Sequence, residues 1–232
     1  MRLSFKGLAS CAGATIIALG ASVASAVNVT VDPGATWVGF MNVSNLPQAG
    51  GAYQFGSGWG TGDLVAYFTG PTLTLAPNTI GDPNPYWYTP AGGPGSVGNK
   101  IMDANMYVEI GSLPNQTLTF AGNVLSNSLF GQVDANGNGW TSVAFIKDFA
   151  PDFSSFVQTT VSLTPGNFSI SLNTINDPAR HVQYGFETIG PDVWITDVAP
   201  YGNIQVTAVP EPVSLGMLGV GSLVLISRRR RD

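Results

Sequence analysis

Between its two ends this chain has almost no positive charge, no cysteine and a single histidine. The only cysteine, Cys11, lies near the N-terminus, so the central region can form no internal disulfide and has no thiolate to offer as nucleophile or metal ligand. Its stability has to come from a buried core. Arg2, Lys6 and Arg228 to Arg231 account for most of the basic residues, which leaves Lys100, Lys147 and Arg180 against twelve carboxylates in the middle. A region nine charges negative has no basic stripe with which to neutralise phosphates, which excludes nucleic acid as a partner. The lone His181, with no Gly-x-Ser-x-Gly elbow in the chain, argues against a Ser-His-Asp triad. One histidine and no central cysteine argue equally against catalytic zinc. Charged residues make up only 10% of the chain, yet 44% is hydrophobic, enough for a packed core and too much for general disorder.

What is abundant is glycine (29) and proline (16), so turns are frequent and long helices are not expected. Residues 27–208 carry repeated short β-type runs between turn residues: Thr36–Val43, Leu64–Phe68, Thr72–Leu75, Asn105–Ile110, Thr117–Val124, Ser142–Phe149, Phe156–Leu163, Phe168–Leu172, His181–Phe186, Val193–Ile195 and Asn203–Thr207. Pro47 to Gly51, Gly81-Asp82-Pro83, Gly92 to Gly95 and Pro165-Gly166-Asn167 mark turns. No fixed-period repeat is present, which argues against a propeller or solenoid. The expectation is an all-β fold: a single β-sandwich, a jelly roll, between two targeting segments.

Residues 1–26 read as a signal peptide. Arg2 and Lys6 form a positive start, Leu8 to Val23 an apolar run, and Ala24-Ser25-Ala26 an A-x-A cleavage signal that predicts a mature start at Val27. Leu8-Ala9-Ser10-Cys11 matches a lipoprotein box in letters, but it follows Lys6 too closely to leave room for the hydrophobic stretch such a box needs. Residues 209–232 read as a tail. Pro210-Glu211-Pro212 is stiff and extended. The 15 uncharged residues Val213 to Ser227 follow, about 22 Å as a helix. Arg228, Arg229, Arg230 and Arg231 close the tail and should stay on the cytoplasmic side. The apolar run is short of the roughly 30 Å hydrocarbon core, a gap that arginine snorkelling and local thinning narrow.

Tripeptide, apolar run and arginine cluster together resemble the PEP-CTERM sorting signal of exported bacterial proteins. The resemblance covers residues 209–231. It implies a membrane-anchored precursor held by a C-terminal transmembrane helix, an exosortase-type processing enzyme as partner, and a final location at the cell surface or in extracellular matrix. Three central runs, Gly98 to Tyr107, Ala144 to Phe149 and Arg180 to Glu187, are similar to a module that recurs in such tailed proteins and is close in style to carbohydrate-binding β-sandwiches. That resemblance implies no established activity.

Three constellations in residues 27–208 could carry chemistry. Tyr86-Trp87-Tyr88 sits among glycines and prolines and could offer an aromatic platform for the apolar C–H faces of sugars. Glu109 and Glu187 are the only glutamates there; facing one cleft, they could hydrolyse a glycosidic bond. Asp134-Ala135-Asn136-Gly137-Asn138-Gly139 fits the first half of a calcium loop, but the closing twelfth position is Phe145 rather than a carboxylate. No cofactor is expected, and calcium at some other cluster of carboxylates and carbonyls stays open. Two functions follow. The first is a non-enzymatic surface or matrix protein that binds polysaccharide. The alternative is a secreted glycan hydrolase using carboxylates.

Overall fold

The computed structural model describes residues 26–209. The leader cleavage signal, Pro210-Glu211-Pro212, the apolar run and Arg228–Arg231 therefore lie outside the described residues, apart from Ala26 itself. Among the described residues no helix is long and apolar enough to cross a membrane.

The described chain is all-β, with two sheets. In chain order the strands are β1 (Ala26–Thr30), β2 (Val38–Asn45), β3 (Tyr53–Trp59), β4 (Ala66–Thr69), β5 (Thr72–Leu75), β6 (Tyr88–Thr89), β7 (Val97–Gly111), β8 (Thr117–Asn127), β9 (Thr141–Phe149), β10 (Phe156–Ser162), β11 (Gly166–Asn173), β12 (His181–Val193) and β13 (Ile204–Thr207). Two single-turn 3-10 helices, Pro47–Ala49 and Ala199–Tyr201, are the only helical pieces described. The first ends on Gly50, whose φ of 87° is available to glycine without a Cβ clash.

The six-stranded sheet is built around β8. The antiparallel β11 lies along one side of it; along the other, β1 pairs in parallel with residues 117–121 and β13 antiparallel with residues 123–127. β5 and then β4 continue that sheet beyond β13. The seven-stranded sheet runs β10-β9-β12-β7-β2-β3, with β6 on the start of β7. Four antiparallel pairs are nested in the chain: β5 with β13, β7 with β12, β8 with β11 and β9 with β10.

Side-chain alternation with period two decides what each sheet buries. Met102, Ala104, Met106 and Val108 of β7, Val182, Tyr184 and Phe186 of β12, and Ala144 and Ile146 of β9 point inward. They meet Leu118, Phe120 and Val124 of β8, Phe168 and Ile170 of β11, and Ile204 and Val206 of β13 in one apolar cluster. Phe120 joins the two layers: its ring lies 5.0 Å from Tyr184, 5.4 Å from Phe186 and 5.4 Å from Phe168, all tilted or edge-on.

Most expected strands are present with ends shifted by a few residues, and three differences have physical causes. The expected His181–Phe186 runs on to Val193 as one strand, β12, because Pro191 sits beside a bulge where the ladder does not need its missing N–H, while Trp194 and Ile195 of the expected Val193–Ile195 lie beyond the strand. β7 starts at Val97 rather than Asn105; Gly98-Asn99-Lys100 looks like a loop in sequence but is paired as strand. β3 was not expected, since Gly56 and Gly58 dilute its β character. Gly56 suits its position because a Cβ there would meet Asn42 Oδ1 and the Tyr53 hydroxyl, each at 2.7 Å.

Tyr88 pins the long 76–96 connection to the core. It is fully buried, its hydroxyl accepts the Ile80 N–H (2.9 Å), and the carbonyls of Ile80 (2.8 Å) and Val193 (3.1 Å) lie within its donating range. Burial pushes its phenol well above the ordinary tyrosine range. Tyr88→Phe should strand the Ile80 N–H and cost roughly 1–3 kcal/mol. Thermal unfolding checks this: a drop of roughly 2–4 °C per kcal/mol is expected for a body of this size, and an unchanged melting temperature would show that the hydroxyl anchors nothing.

Candidate functional site

The outward face of the seven-stranded sheet carries the polar side chains left over after core burial. Because Ala144 and Ile146 face the core, Phe145, Lys147 and Phe149 of β9 face out. By the same alternation so do His181, Gln183 and Glu187 of β12, and Asp103, Asn105, Tyr107 and Glu109 of β7. The register sets them in rows: Gln183 lies between Lys147 and Glu109, and Glu187 between Val143 and Asn105.

These groups bond one another. The Lys147 ammonium donates to Asn105 Oδ1 (2.9 Å) and Glu187 Oε1 (3.1 Å) and stands 4.2 Å from the centre of the Phe145 ring. Asp103 accepts from Asn42 Nδ2 (3.1 Å) and Asn105 Nδ2 (2.7 Å). Burial, and then the nearby Glu187 carboxylate, push the Asp103 carboxyl up to about 6. Glu109 accepts from Gln183 Nε2 at 3.1 Å and lies 2.9 Å from His181 Nδ1.

At the end of this ladder is an aromatic cluster. Phe153, on the turn between β9 and β10, stacks on His181 with ring centres 4.4 Å apart and an interplanar angle of 22°. It lies 5.6 Å from Phe149, which is 5.0 Å from Phe156. Phe153 has φ 59°, a left-handed conformation that costs a non-glycine residue about 1–2 kcal/mol. The turn holds it there through the Phe153 N–H to the Ala150 carbonyl (2.9 Å) and the Ala150 N–H to the Ser155 carbonyl (2.8 Å). Even so, its ring stays half exposed.

The aromatic residues singled out from sequence are placed differently from expectation. Tyr86, Trp87 and Tyr88 do not form one platform. Tyr88 is in the core, and Trp87 is half-buried against Phe55 (6.3 Å) and Tyr86 (4.7 Å). Only Tyr86 is exposed, and the Lys100 ammonium sits 4.0 Å from its ring centre. The run alternates too tightly between core and solvent for three rings to share one side. Glu109 and Glu187 do lie on the same sheet face, but their partners are offset by four residues along β7. At ~3.3 Å per residue that sets their backbones about 13 Å apart along the sheet, and each carboxylate is held by a neighbour, Glu109 by Gln183 and Glu187 by Lys147. Arg180 is structural: its Nε donates to Asp148 Oδ1 and its guanidinium to the Asp148 carbonyl, both at 2.7 Å, and Asp148 is fully buried.

The half calcium loop closes on itself. Asp134 Oδ1 accepts the N–H groups of Asn136 (2.9 Å) and Asn138 (2.7 Å), while Asn138 Oδ1 accepts from Gln48 (3.1 Å). Asp134 Oδ2 also accepts from Asn138 Nδ2 at 3.2 Å, so both Asp134 oxygens are hydrogen-bonded within the loop. Asp134 also lines a cavity of about 370 Å³ with Asp192 and Asp197. Among the described residues no three His, Cys, Asp or Glu side chains group at metal-binding spacing.

The aromatic cluster and the polar ladder were missed in sequence because their members come from five strands and one turn. The available signal was alternation: Lys147 falls at an outward position between Ile146 and the buried Asp148. No protein-family model matches the chain, and no curated protein matches it.

Asp192 yields a pH prediction. It is almost fully buried; Oδ1 accepts the Lys100 N–H at 3.0 Å, and Oδ2 has no hydrogen-bond partner among the described residues. Burial pushes its carboxyl up to about 7. The folded state therefore holds a proton that the unfolded chain releases near pH 4, and stability falls as pH rises from about 4 to about 7. Asp192→Asn should remove this slope, on the order of a few kcal/mol between those limits. Melting temperatures across that range check it; parallel curves for the two proteins would refute it.

Proposed function

We propose that the chain is an exported surface or matrix protein whose two-sheet body, a jelly-roll β-sandwich, binds neutral polysaccharide without cleaving it. One observation carries the reading: exposed aromatic rings and a ladder of fixed polar groups occur side by side on one sheet face. Phe153, Phe149 and Phe156 offer rings to sugar C–H faces, and Lys147, Asn105, Gln183, Glu109 and Glu187 offer donors and acceptors to hydroxyls. The groups are held by one another before any ligand arrives, which lowers the ordering cost of binding. Asp103, Glu109 and Glu187 outnumber Lys147 on this face and would repel acidic sugars. The nested pairs β5–β13, β7–β12, β8–β11 and β9–β10, distributed over two sheets, support the jelly-roll assignment. Glu109 and Glu187 are each engaged by a neighbour, Gln183 and Lys147, which favours binding over hydrolysis by that pair.

Export rests on the sequence of the two ends. The leader directs translocation; Pro210-Glu211-Pro212, the apolar run and Arg228–Arg231 hold the precursor in the membrane until an exosortase-type enzyme releases it. The bound form works without a resident cofactor.

A glycan array run beside chromogenic glycosides tests the binding reading on the exported protein. Capture of neutral glycans without turnover is expected. Phe153→Ala should weaken it about two- to twelvefold, the loss of one aromatic contact worth roughly 0.5–1.5 kcal/mol, while Tyr86→Ala should leave it unchanged. Binding lost with Tyr86→Ala and kept with Phe153→Ala would move the site to the 76–96 connection; turnover of a glycoside would replace binding with hydrolysis.

Processing has its own test. Mass spectrometry of the mature protein from its producing cell should find a C-terminus without the apolar run, and replacing Pro210-Glu211-Pro212 by three alanines should leave the tail in place in the membrane fraction. A wild-type product that keeps Arg228–Arg231 would make the tail a plain anchor.

A further inference from the structure

β10 ends the seven-stranded sheet: it pairs with β9 and with no other described strand. One side of its backbone therefore presents N–H and C=O groups to solvent. Such edges invite a further strand, and proteins commonly guard them with lysine, proline, a bulge or shortness. β10 has none of these guards. It reads Phe-Val-Gln-Thr-Thr-Val-Ser over seven residues, contains no charge or proline, and runs in unbroken register against β9. Phe156 and Val157 are each more than 40% exposed at its start, so apolar surface accompanies the free backbone.

The other sheet ends are better protected. β1 has five residues and β4 four, and β3 carries Gly56 and Gly58 with Tyr53 folded over the former. β11, the free edge of the six-stranded sheet, exposes serines and asparagines rather than apolar groups.

Charge indicates the occupant. The region between leader and tail carries twelve carboxylates and three cations, so two copies repel one another over most of their surfaces. From Phe153 to Asn176 the chain has no ionisable side chain. That stretch includes all of β10 and β11. One flank of the molecule is thus neutral, and it is the flank that bears the unguarded edge. A basic partner would be drawn to the negative surfaces elsewhere; a second copy meets no like charge along this unguarded edge.

We propose that the protein pairs with itself through β10, two copies joining edge to edge as antiparallel strands about a two-fold axis. An axis through Thr159 opposes Gln158 of each copy to Thr160 of the other and keeps inward residues opposite inward residues, as the pleat requires. The seven-stranded sheets then become continuous, and both outward faces lie on the same side of the pair. A multivalent polysaccharide would meet two faces at once, although the pairing does not depend on any ligand.

Light scattering coupled to size exclusion, on the exported protein across a concentration series, reads the mass directly. A mass rising toward two chains is expected. Gln158→Lys with Thr160→Lys places like charges across the axis and should give single copies. Gln158→Lys with Thr160→Glu places opposite charges across it and should restore the pair. Both positions are exposed, and circular dichroism and melting temperature confirm that each variant is folded. A wild-type protein of one-chain mass at all concentrations overturns the proposal, as does pairing that survives the double lysine change. Failure of the opposite-charge variant to restore the pair overturns the Thr159 axis.

Discussion

The long antiparallel pairing of β7 with β12 is the constraint on which the rest of the molecule depends. It runs from Gly111 opposite Val182 to Val97 opposite Val193, with bulges only near its two ends. Met102, Ala104, Met106, Val108, Val182, Tyr184 and Phe186 of this pair enter the shared core, and Asp103, Asn105, Glu109, Gln183 and Glu187 between them enter the polar ladder. A slip by one residue would exchange the two sets, burying Glu187 and Asp103 and exposing Phe186 and Met102. Core packing thus also holds the outward groups in place. Phe120 and Phe168 press on Tyr184 and Phe186 from the facing sheet, and this contact secures the register that sets Gln183 beside Glu109 and Lys147.

The scarcity of cations gives each one a defined task. Arg180 satisfies the buried Asp148, whose Oδ2 also accepts the Ile175 N–H at 2.8 Å and ties the 174–180 connection to β9. Lys147 bridges Asn105 and Glu187 across three strands. Lys100 donates to Asn45 Oδ1 at 3.1 Å and caps the Tyr86 ring. Removing one partner of the buried Arg180–Asp148 pair would leave an uncompensated charge, whereas the exposed acids elsewhere have no such dependence. Asp32, Asp63, Asp82, Glu109 and Asp152 are exposed and make the surface negative, in contrast to the uncharged β10–β11 flank.

How much of this was legible can be judged from particular residues. The all-β class was legible from runs such as Thr72–Leu75 and Thr117–Val124 between turn residues, and these strands are present. Pro191 concealed the continuity of β12, since a bulge that tolerates proline leaves no local mark. Tyr86-Trp87-Tyr88 looked like one feature because the residues are adjacent, yet the turn sends Tyr88 into the core and Tyr86 out. Phe153 had no signal at all: a phenylalanine between Asp152 and Ser154 in a turn is unremarkable until its ring is found on His181.

The sequence by itself determined the class of fold, the absence of disulfides from the central region and the negative balance of that region. These follow from composition and from period-two alternation, both of which are local or summed along the chain. Only the tertiary structure decided which outward side chains become neighbours. Lys147, Glu187, Asp103, Asn42 and His181 are separated by up to 145 positions in the chain, and their meeting depends on strand order and register. Those are set by how two sheets fill one core, a condition on the whole chain that no local run of residues expresses.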